Sequence, residues 1–387
     1  MLSLLSCSNR LFYSHANVIF SFFFRNSAMD RLESVHYYDE DDDFMDLALS
    51  LVPRPRSART RYPNFDRWSE VEFFHRFRLS KDGVGYVLGK IRAAIASADQ
   101  RGNPVSPEEK LLTALSFYAS GSFMEVCGDR HGLSKSSVCV IVHQVSDAIA
   151  RLAPQFISLP GCEEEKIETR EKFHRIARFP GCVGALDCTH VKISSPGGDD
   201  AEMYRNRKGY FSLNVQTVSD ADLKITNIVA RWPGSSHDAT VLRHSSLWRQ
   251  LTTLGHDVIL ADSGYGLTKN LITKVRNPST EAERRFNESQ IRTRNVVERS
   301  YGVWKRRFPI LANGIRVKLE RTQAIIVATA VLHNIAILLN ERLPEVDAET
   351  DIAVDQTMFN NIVEREEMGE EGGVDHRSRF ISYFGSL

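Results

Sequence analysis

Residues 181–193 read Gly-Cys-Val-Gly-Ala-Leu-Asp-Cys-Thr-His-Val-Lys-Ile, and this stretch decides the class of fold. It is apolar and rich in β-branched side chains, which predicts a buried strand. Two alternating runs, 211–218 and 223–231, and a short apolar run at 257–262 predict further strands downstream. A β region of several strands therefore begins after Pro180.

Two helical patterns follow these strands, over residues 287–308 and 322–340. The second is apolar on most sides, which predicts a buried helix. Strands followed by helices that cover them predict a layered α/β structure.

The region upstream of the strands, from about residue 68 to residue 152, has a helical pattern. Ser106-Pro-Glu-Glu109 has the form of a capping box with proline at the first helical position, and it predicts a helix over 107–119. A shorter helix ending at Gly132 and a long helix capped by Ser134 follow. This order is typical of a helix-turn-helix, and an ordinary helical bundle fits it equally well. Lys135 begins the third helix and is a candidate for phosphate contact.

The composition excludes several classes of protein. Hydrophobic residues make up 42% of the 387 residues, which excludes wholesale disorder. The most apolar run, residues 18–24, is far shorter than the roughly 20 residues of a membrane span, so no membrane partner is expected. Six cysteines without a CxxC pair argue against a zinc ribbon and a disulfide framework, and predict an intracellular protein.

The charge is unevenly distributed, although 49 basic and 49 acidic residues give a formal net charge of zero. Residues 284–321 carry eleven Lys and Arg against three Glu, whereas residues 341–375 carry twelve acids and two Arg. Residues 39–43 are also all acidic, and such acidic blocks near the ends predict solvated tails, whereas apolar periodicity runs through the basic block. We therefore expect a charged, disordered segment over 1–63 and an acidic C-terminal tail over 341–387.

Four acids stand near the ends of the predicted secondary-structure elements. Asp187 closes the run 181–186, Asp262 closes 258–261, Asp238 follows the turn after the third strand, and Glu298 lies in the middle of a helix. Acids at strand ends point into the crevice where open α/β sheets bind ligands. Together they would repel one another unless a divalent cation neutralised them, and hard oxygen ligands select Mg²⁺ or Mn²⁺. From the residues alone, turn-forming aspartates fit as well as a metal site.

Arg294, Glu298 and Lys305 are spaced by four and seven residues and so share one face of the predicted helix. This spacing predicts that Arg294 and Lys305 grip the DNA backbone on either side of the acid. The alternative is an i,i+4 salt bridge on a solvated helix.

The motifs around these acids resemble the PIF/Harbinger transposases and the Harbinger-transposase-derived nucleases of animals, in the DDE endonuclease superfamily. The motifs are Gly184-Ala-Leu-Asp-Cys-Thr-His190, Trp232-Pro-Gly-Ser-Ser-His-Asp-Ala239, Leu260-Ala-Asp-Ser-Gly-Tyr265 and Asn295-Val-Val-Glu-Arg-Ser-Tyr-Gly302 with Lys305-Arg-Arg-Phe308. With similar helical motifs upstream, the resemblance covers about residues 65–340.

The resemblance implies a mixed five-stranded RNase H-like domain over 165–340, preceded by an all-helical, helix-turn-helix-like domain over 64–160. It implies that Asp187, Asp262 and Glu298 are catalytic and bind Mg²⁺ or Mn²⁺, with Asp238 as a fourth metal ligand. The basic motif that ends in Phe308 adds Arg306 and Arg307 to the predicted DNA-binding residues.

The sequence departs from the related patterns at two positions. Ile291 stands where some bacterial insertion-sequence transposases have a tyrosine, in the pattern Tyr-x2-Arg-x3-Glu-x6-Lys. A role for that tyrosine cannot be transferred. Cys188 stands where many family members have glycine, and we interpret it as a tolerated small residue rather than a nucleophile.

The implied activity is metal-dependent hydrolysis of DNA phosphodiester bonds by a two-metal mechanism. The resemblance also implies a nuclear location, with some protein in the cytoplasm, and a Myb-like DNA-binding partner; a homo-oligomer is compatible with it. The main alternative is a domesticated, catalytically silent nuclear factor that keeps the fold and binds DNA or protein. A metal-dependent phosphatase on a similar sheet is a third possibility, in which the basic stretch 284–321 would have no role.

Overall fold

A computed structural model describes residues 60–61, 64–97, 103–345 and 371–387. The predicted charged segment over 1–63 lies almost wholly outside the described residues, as do residues 346–370 of the predicted acidic tail. The described residues belong to one compact unit.

Helices occupy the described chain before the sheet. They are α1 (Asn64–Arg67), α2 (Glu70–Phe77), α3 (Lys81–Ile95), α4 (Pro107–Ser120), α5 (Met124–His131), α6 (Lys135–Ala150), α7 (Ala153–Phe156) and α8 (Glu163–Ala177). The predicted capping box is present, because Ser106 and Glu109 bond each other's backbone amides. Gly132 ends α5 in the left-handed region at φ 65°, and the Ser134 side chain caps α6. The local start and stop signals of this region therefore act as the sequence predicts.

A mixed five-stranded sheet follows, as predicted. Its strands are β1 (Cys182–Lys192), β2 (Ser212–Ser219), β3 (Ile225–Pro233), β4 (Val258–Leu260) and β5 (Leu271–Ile272), in the order β3-β2-β1-β4-β5. The pairs β1–β2 and β2–β3 are antiparallel, and β1–β4 and β4–β5 are parallel. Sequence analysis missed β5, since two residues are too few to show a period.

The remaining helices are α9 (Asp238–Arg243), α10 (Ser246–Leu251), α11 (Glu281–Arg307), α12 (Ile310–Asn313), α13 (Leu319–Leu338) and α14 (Glu371–Ser386). Helix α13 is long and apolar enough to cross a membrane by length and composition, and 67% of its most apolar window is buried inside the protein. It packs on β3 and on α6. Its apolar character is therefore that of a core helix, as the sequence predicts.

The helices before the sheet do not have a core of their own. One continuous cluster of buried side chains joins Leu115 of α4 and Val142 of α6 to Val191 of β1 and Trp304 of α11. The predicted boundary between a helical domain and a catalytic domain is therefore not a boundary between two cores.

Helix α6, the third helix of the helix-turn-helix-like order, is packed on several sides. It contacts α3, α4, α5 and α13, and its exposed residues are mainly the first turn, Ser134 to Ser136, and Val140. A recognition helix needs a free face along its length to enter a DNA groove. Helix α6 is therefore packed as in a bundle on several sides, with its first turn and Val140 exposed, and the helix-turn-helix-like assignment stays a prediction.

The predicted acidic tail over 341–387 is wrong for its last part, because residues 371–386 form α14. Phe380 and Phe384 are buried, and their rings lie 5.2 and 5.9 Å from that of Phe179. Phe384 also meets Phe286 of α11 at 6.2 Å. The net charge of the segment does not predict this helix, because two aromatic side chains at i,i+4 spacing are enough to dock it.

Candidate active site

Asp187 lies in the middle of β1 rather than at its end, because the strand continues to Lys192. The neighbouring strand is the one that ends: β4 pairs with β1 up to Ala185. Further along the same edge, Ile315 pairs with the chain at Lys192 and Ser194. Asp187 therefore faces a notch in the edge of β1, between the end of β4 and Ile315.

Two more acids follow the neighbouring strands into this region. Asp262 follows β4 and precedes a short 3₁₀ helix at Ser263–Tyr265. Asp238 is the first residue of α9, and its Oδ1 accepts a hydrogen bond from Asn214 Nδ2 at 2.8 Å. Both are close enough to Asp187 to affect its protonation.

Helix α11 brings the fourth acid, Glu298, together with Arg294. Arg294 Nη1 donates to Asp187 Oδ2 at 2.8 Å, and its Nη2 donates to Glu298 Oε1 at 2.6 Å. The Arg294 side chain is only 14% exposed. The i,i+4 salt bridge that the sequence offered as an alternative is thus present between Arg294 and Glu298. Arg294 also bonds Asp187, which belongs to the sheet. Arg294 remains a predicted DNA contact, although its guanidinium is paired with two carboxylates here.

The environment of the site disfavours the charged form of the Asp187 carboxyl. Its pKa is raised from 3.8 to about 7: burial is the largest cause and the charges of Asp238 and Asp262 act in the same direction, whereas Arg294 and the Cys188 N–H act to lower it. Burial also raises the pKa of Asp238. A carboxyl whose charged form is disfavoured by burial and by like charges gains most from a nearby cation.

Two tyrosines support Asp187 and its neighbour, and sequence analysis did not assign them this role. The Tyr301 hydroxyl donates to the Asp187 carbonyl oxygen at 2.6 Å and accepts from Thr217 Oγ1 at 3.0 Å. The Tyr265 hydroxyl donates to Cys188 Sγ at 3.1 Å. Burial raises the pKa of Cys188 well above its usual value, which fits an inert thiol. The sequence did contain one signal for the role of Tyr301, which is its position three residues after Glu298.

Two of the predicted DNA-binding residues are inside the protein, and for these the prediction is wrong. Lys305 is fully buried, and its Nζ donates to Thr189 Oγ1 at 2.7 Å and to the His190 carbonyl. Burial lowers its pKa to about 7. Arg307 is also buried and donates to the carbonyl oxygens of Arg78 and Arg342.

The reason lies in how α11 docks. Tyr301 and Trp304 attach the last turns of the helix to the core, and this docking carries the neighbouring Lys305 and Arg307 inside with them. Arg306 is half-buried, and Lys135 is exposed at the start of α6. These two residues can reach a ligand at the surface, and their predicted contact with DNA stays a prediction.

The donor set fits a hard divalent cation in chemistry, since it consists of carboxylate oxygens. In the part of the chain that the structure describes, however, no three His, Cys, Asp or Glu side chains are grouped closely enough to hold a metal ion. Arg294 separates Asp187 from Glu298 and neutralises both. Gathering the carboxylates around one ion would therefore require Arg294 to leave them.

Comparison with known proteins identifies the class that this sheet and its acids define. The family model of the DDE superfamily endonucleases matches residues 186–334, a range that includes all four acids. No solved structure matches the chain.

Relatives extend the similarity over most of the chain. "Putative nuclease HARBI1" of Bos taurus is 35% identical over 298 residues, which are 76% of this chain and 85% of the relative. The protein of that name from Homo sapiens shows the same identity and coverage. "Protein ALP1-like" of Arabidopsis thaliana is 25% identical over 290 residues, which are 69% of this chain and 70% of the relative. The chain therefore belongs to the Harbinger transposase-derived nuclease family, as the sequence motifs predict.

Proposed function

We propose that this protein is a divalent-metal-dependent DNA endonuclease with an RNase H-like catalytic domain. One observation carries the proposal: Arg294 joins Asp187 of β1 to Glu298 of α11, and the acids after β3 and β4 are near enough to raise the pKa of Asp187. Four acids on four elements form a costly arrangement, and a role for their charge explains why they are brought together.

Asp187, Asp262 and Glu298 would hold Mg²⁺ or Mn²⁺, with Asp238 as a further ligand. When bound, the ions would lower the pKa of a water molecule and stabilise the leaving oxygen of the phosphodiester. The Cys188 N–H and Asn214 orient the carboxylates of Asp187 and Asp238. These bonds pre-organise the acids before any ion arrives.

Arg294 would have two positions in this scheme. Without metal, it neutralises Asp187 and Glu298 through bonds of 2.8 and 2.6 Å. Once released from them, it would be placed at the notch to contact a DNA phosphate, as would Arg306 at the end of the same helix and Lys135 at the start of α6.

A nicking assay on supercoiled plasmid with Mg²⁺ or Mn²⁺ tests the proposal. We expect the wild-type protein to convert the plasmid to open circles and Asp187→Asn to abolish this conversion. Asp199→Asn, the same change at an exposed loop residue, is the matched control and should nick normally. Circular dichroism verifies that both variants fold. Undiminished nicking by pure, folded Asp187→Asn would overturn the proposal.

A catalytically silent DNA- or protein-binding factor is the second candidate. The observation that favours it is the pairing of Arg294, which neutralises two of the acids without any metal. Titration calorimetry with Mn²⁺, in the presence and absence of DNA, separates the two candidates. Millimolar or tighter binding that is lost in Asp187→Asn supports the nuclease, and no heat under either condition supports the silent factor.

The cellular setting is proposed with the activity. A DNA endonuclease of this family would work in the nucleus, with a Myb-like DNA-binding protein as partner and self-association as a further option. Imaging of the tagged chain alone and with such a partner tests the location. Size-exclusion chromatography with light scattering tests both associations. A tagged chain that stays cytoplasmic in both cases would contradict the nuclear part of the proposal.

A further inference from the structure

A cleft of about 580 Å³ opens where β1 ends, away from the four acids. Gly121, at the end of α4, forms part of its wall at φ 61°, and a Cβ atom there would approach the backbone of Ile310 to 3.2 Å. The wall is therefore set by a close contact between α4 and α12. A cleft built from packed elements is a pre-formed site.

The lining of this cleft combines cations with aromatic rings. Arg316 lies over the ring of Phe123 at 4.6 Å, and Lys192 Nζ lies 5.9 Å from the ring centre of Tyr210. Phe123 is 64% exposed at the N-terminal end of α5, which is unusual for such a side chain. Within the described chain, none of the lining residues is acidic. The cleft is therefore complementary to a chain of negative charges that carries flat apolar groups.

The cleft lies further along β1 than Asp187, at the end of the strand, and the side chains of Asp187 and Lys192 leave opposite faces of β1. Asp187 and Lys192 are five residues apart on β1, which is about 16 Å at the rise of a strand. Ile315, next to Arg316, pairs with β1 at Lys192.

We propose that this cleft binds a single strand of DNA that leaves the active site, with bases stacked on Phe123 and Tyr210 and phosphates held by Lys192 and Arg316. The proposal rests on the proposed nuclease function and adds to it a second contact on the substrate, about 16 Å along β1 from Asp187. Aromatic stacking with cations along the backbone is the usual mode of binding single strands without reading their sequence. Duplex DNA offers no unstacked bases to such a cleft, so the strand is expected to be locally unpaired.

Binding measurements in EDTA test the cleft without involving metal or catalysis. A fluorescent 12-nucleotide oligothymidine is titrated and its anisotropy followed at several salt concentrations. We expect Phe123→Ala to weaken binding about tenfold with an unchanged salt slope, because a stacking contact is lost. Arg316→Ala should reduce the slope of log affinity against log salt by about 0.7, because one phosphate contact is lost. Ile167→Ala and Arg249→Ala are exposed control changes of the same kinds and should leave both values unchanged.

Photo-cross-linking locates the bound strand directly. The same oligonucleotide, substituted with 5-iododeoxyuridine, should cross-link to the peptides that contain Phe123 or Tyr210. Wild-type affinity in folded Phe123→Ala, or cross-links that map elsewhere, would overturn the inference.

Oligonucleotide binding and nicking, measured on the wild-type protein and on Asp187→Asn, separate this inference from the nuclease proposal. If both forms bind the oligonucleotide and neither nicks the plasmid, the nuclease proposal fails and the cleft remains a strand-binding site. Normal nicking by the wild-type protein without binding in the cleft removes only the inference.

Discussion

Asp187 is a buried acid whose charged form the surrounding structure disfavours. Its raised pKa defines the pH range in which this effect appears. Between pH 4 and pH 7 the native carboxyl keeps a proton that the unfolded chain has released, since the pKa rises from 3.8 to about 7 on folding. The contribution of Asp187 to the free energy of unfolding therefore falls as the pH rises through this range, and stays low above it.

In the metal-free protein, the effect of Asp187→Asn on the free energy of unfolding should therefore become more favourable as the pH rises, although the variant also loses the bond to Arg294 at every pH. We expect the free energy of unfolding of the variant, relative to the wild-type protein, to grow by about 2.6 kcal/mol between pH 5 and pH 8. Urea unfolding in EDTA at several pH values measures it, with Asp199→Asn as the control. A difference that does not change with pH would show that burial does not raise the pKa of Asp187.

Arg294→Gln tests the competition between the guanidinium and a divalent ion. Because Arg294 bonds both Asp187 and Glu298, its removal should strengthen Mn²⁺ binding by about tenfold in calorimetry, a difference of about 1.4 kcal/mol. Arg292→Gln, on the exposed face of the same helix, is the control. Weaker Mn²⁺ binding in Arg294→Gln would mean that the guanidinium orients the acids rather than competing for them.

The elements that carry the four acids could be predicted from the sequence, because strands and the helix of Glu298 show a local pattern. The position of Asp187 in the middle of β1 could not, since it depends on where the neighbouring strand β4 ends. Whether Lys305 faces DNA or the core depends on which side of α11 meets the sheet. Arg294, Glu298 and Lys305 satisfy one helical spacing, yet the first two line the notch and the third is buried against Thr189 and His190.

At the scale of elements, four strands and several long helices could be predicted because each has a clear period or cap, whereas the 15-residue helix α8 was missed because it has no side-chain cap and buries only Phe173. The two-residue strand β5 lacks a period, and α14 lies in a region whose average charge hides its apolar positions. Helix α14 is nevertheless docked on α11, the helix that carries Glu298. The orientation of the catalytic helix thus depends on a segment that composition alone assigns to a tail.

Phe380→Ala measures this dependence. The Phe380 ring packs at 5.2 Å from that of Phe179, so the truncation should lower the free energy of unfolding by about 3 kcal/mol. Val374→Ala, at an exposed position of α14, should change it by less than about 0.5 kcal/mol. Thermal or urea unfolding of both variants provides the test, and equal stabilities would show that α14 is not docked in solution.

At the scale of the whole molecule, the shared core predicts how the protein unfolds. The helices before the sheet and the sheet itself contribute to one buried cluster, so they should lose structure together. We expect a single calorimetric transition and no stable fold for an isolated 64–160 fragment. Two separated transitions, or a cooperatively folded fragment, would restore the two-domain description.

Because α14 is docked on the rest of the protein, the same fold could be formed from two separate pieces of chain. Residues 346–370 connect Glu345 to the start of α14, so a cut anywhere within them would leave the helix as a free peptide. Its binding would then depend on peptide concentration, because the tether no longer supplies a high effective concentration. An added peptide should restore a truncated protein by complementation, and the helix of one copy could equally complete the body of another.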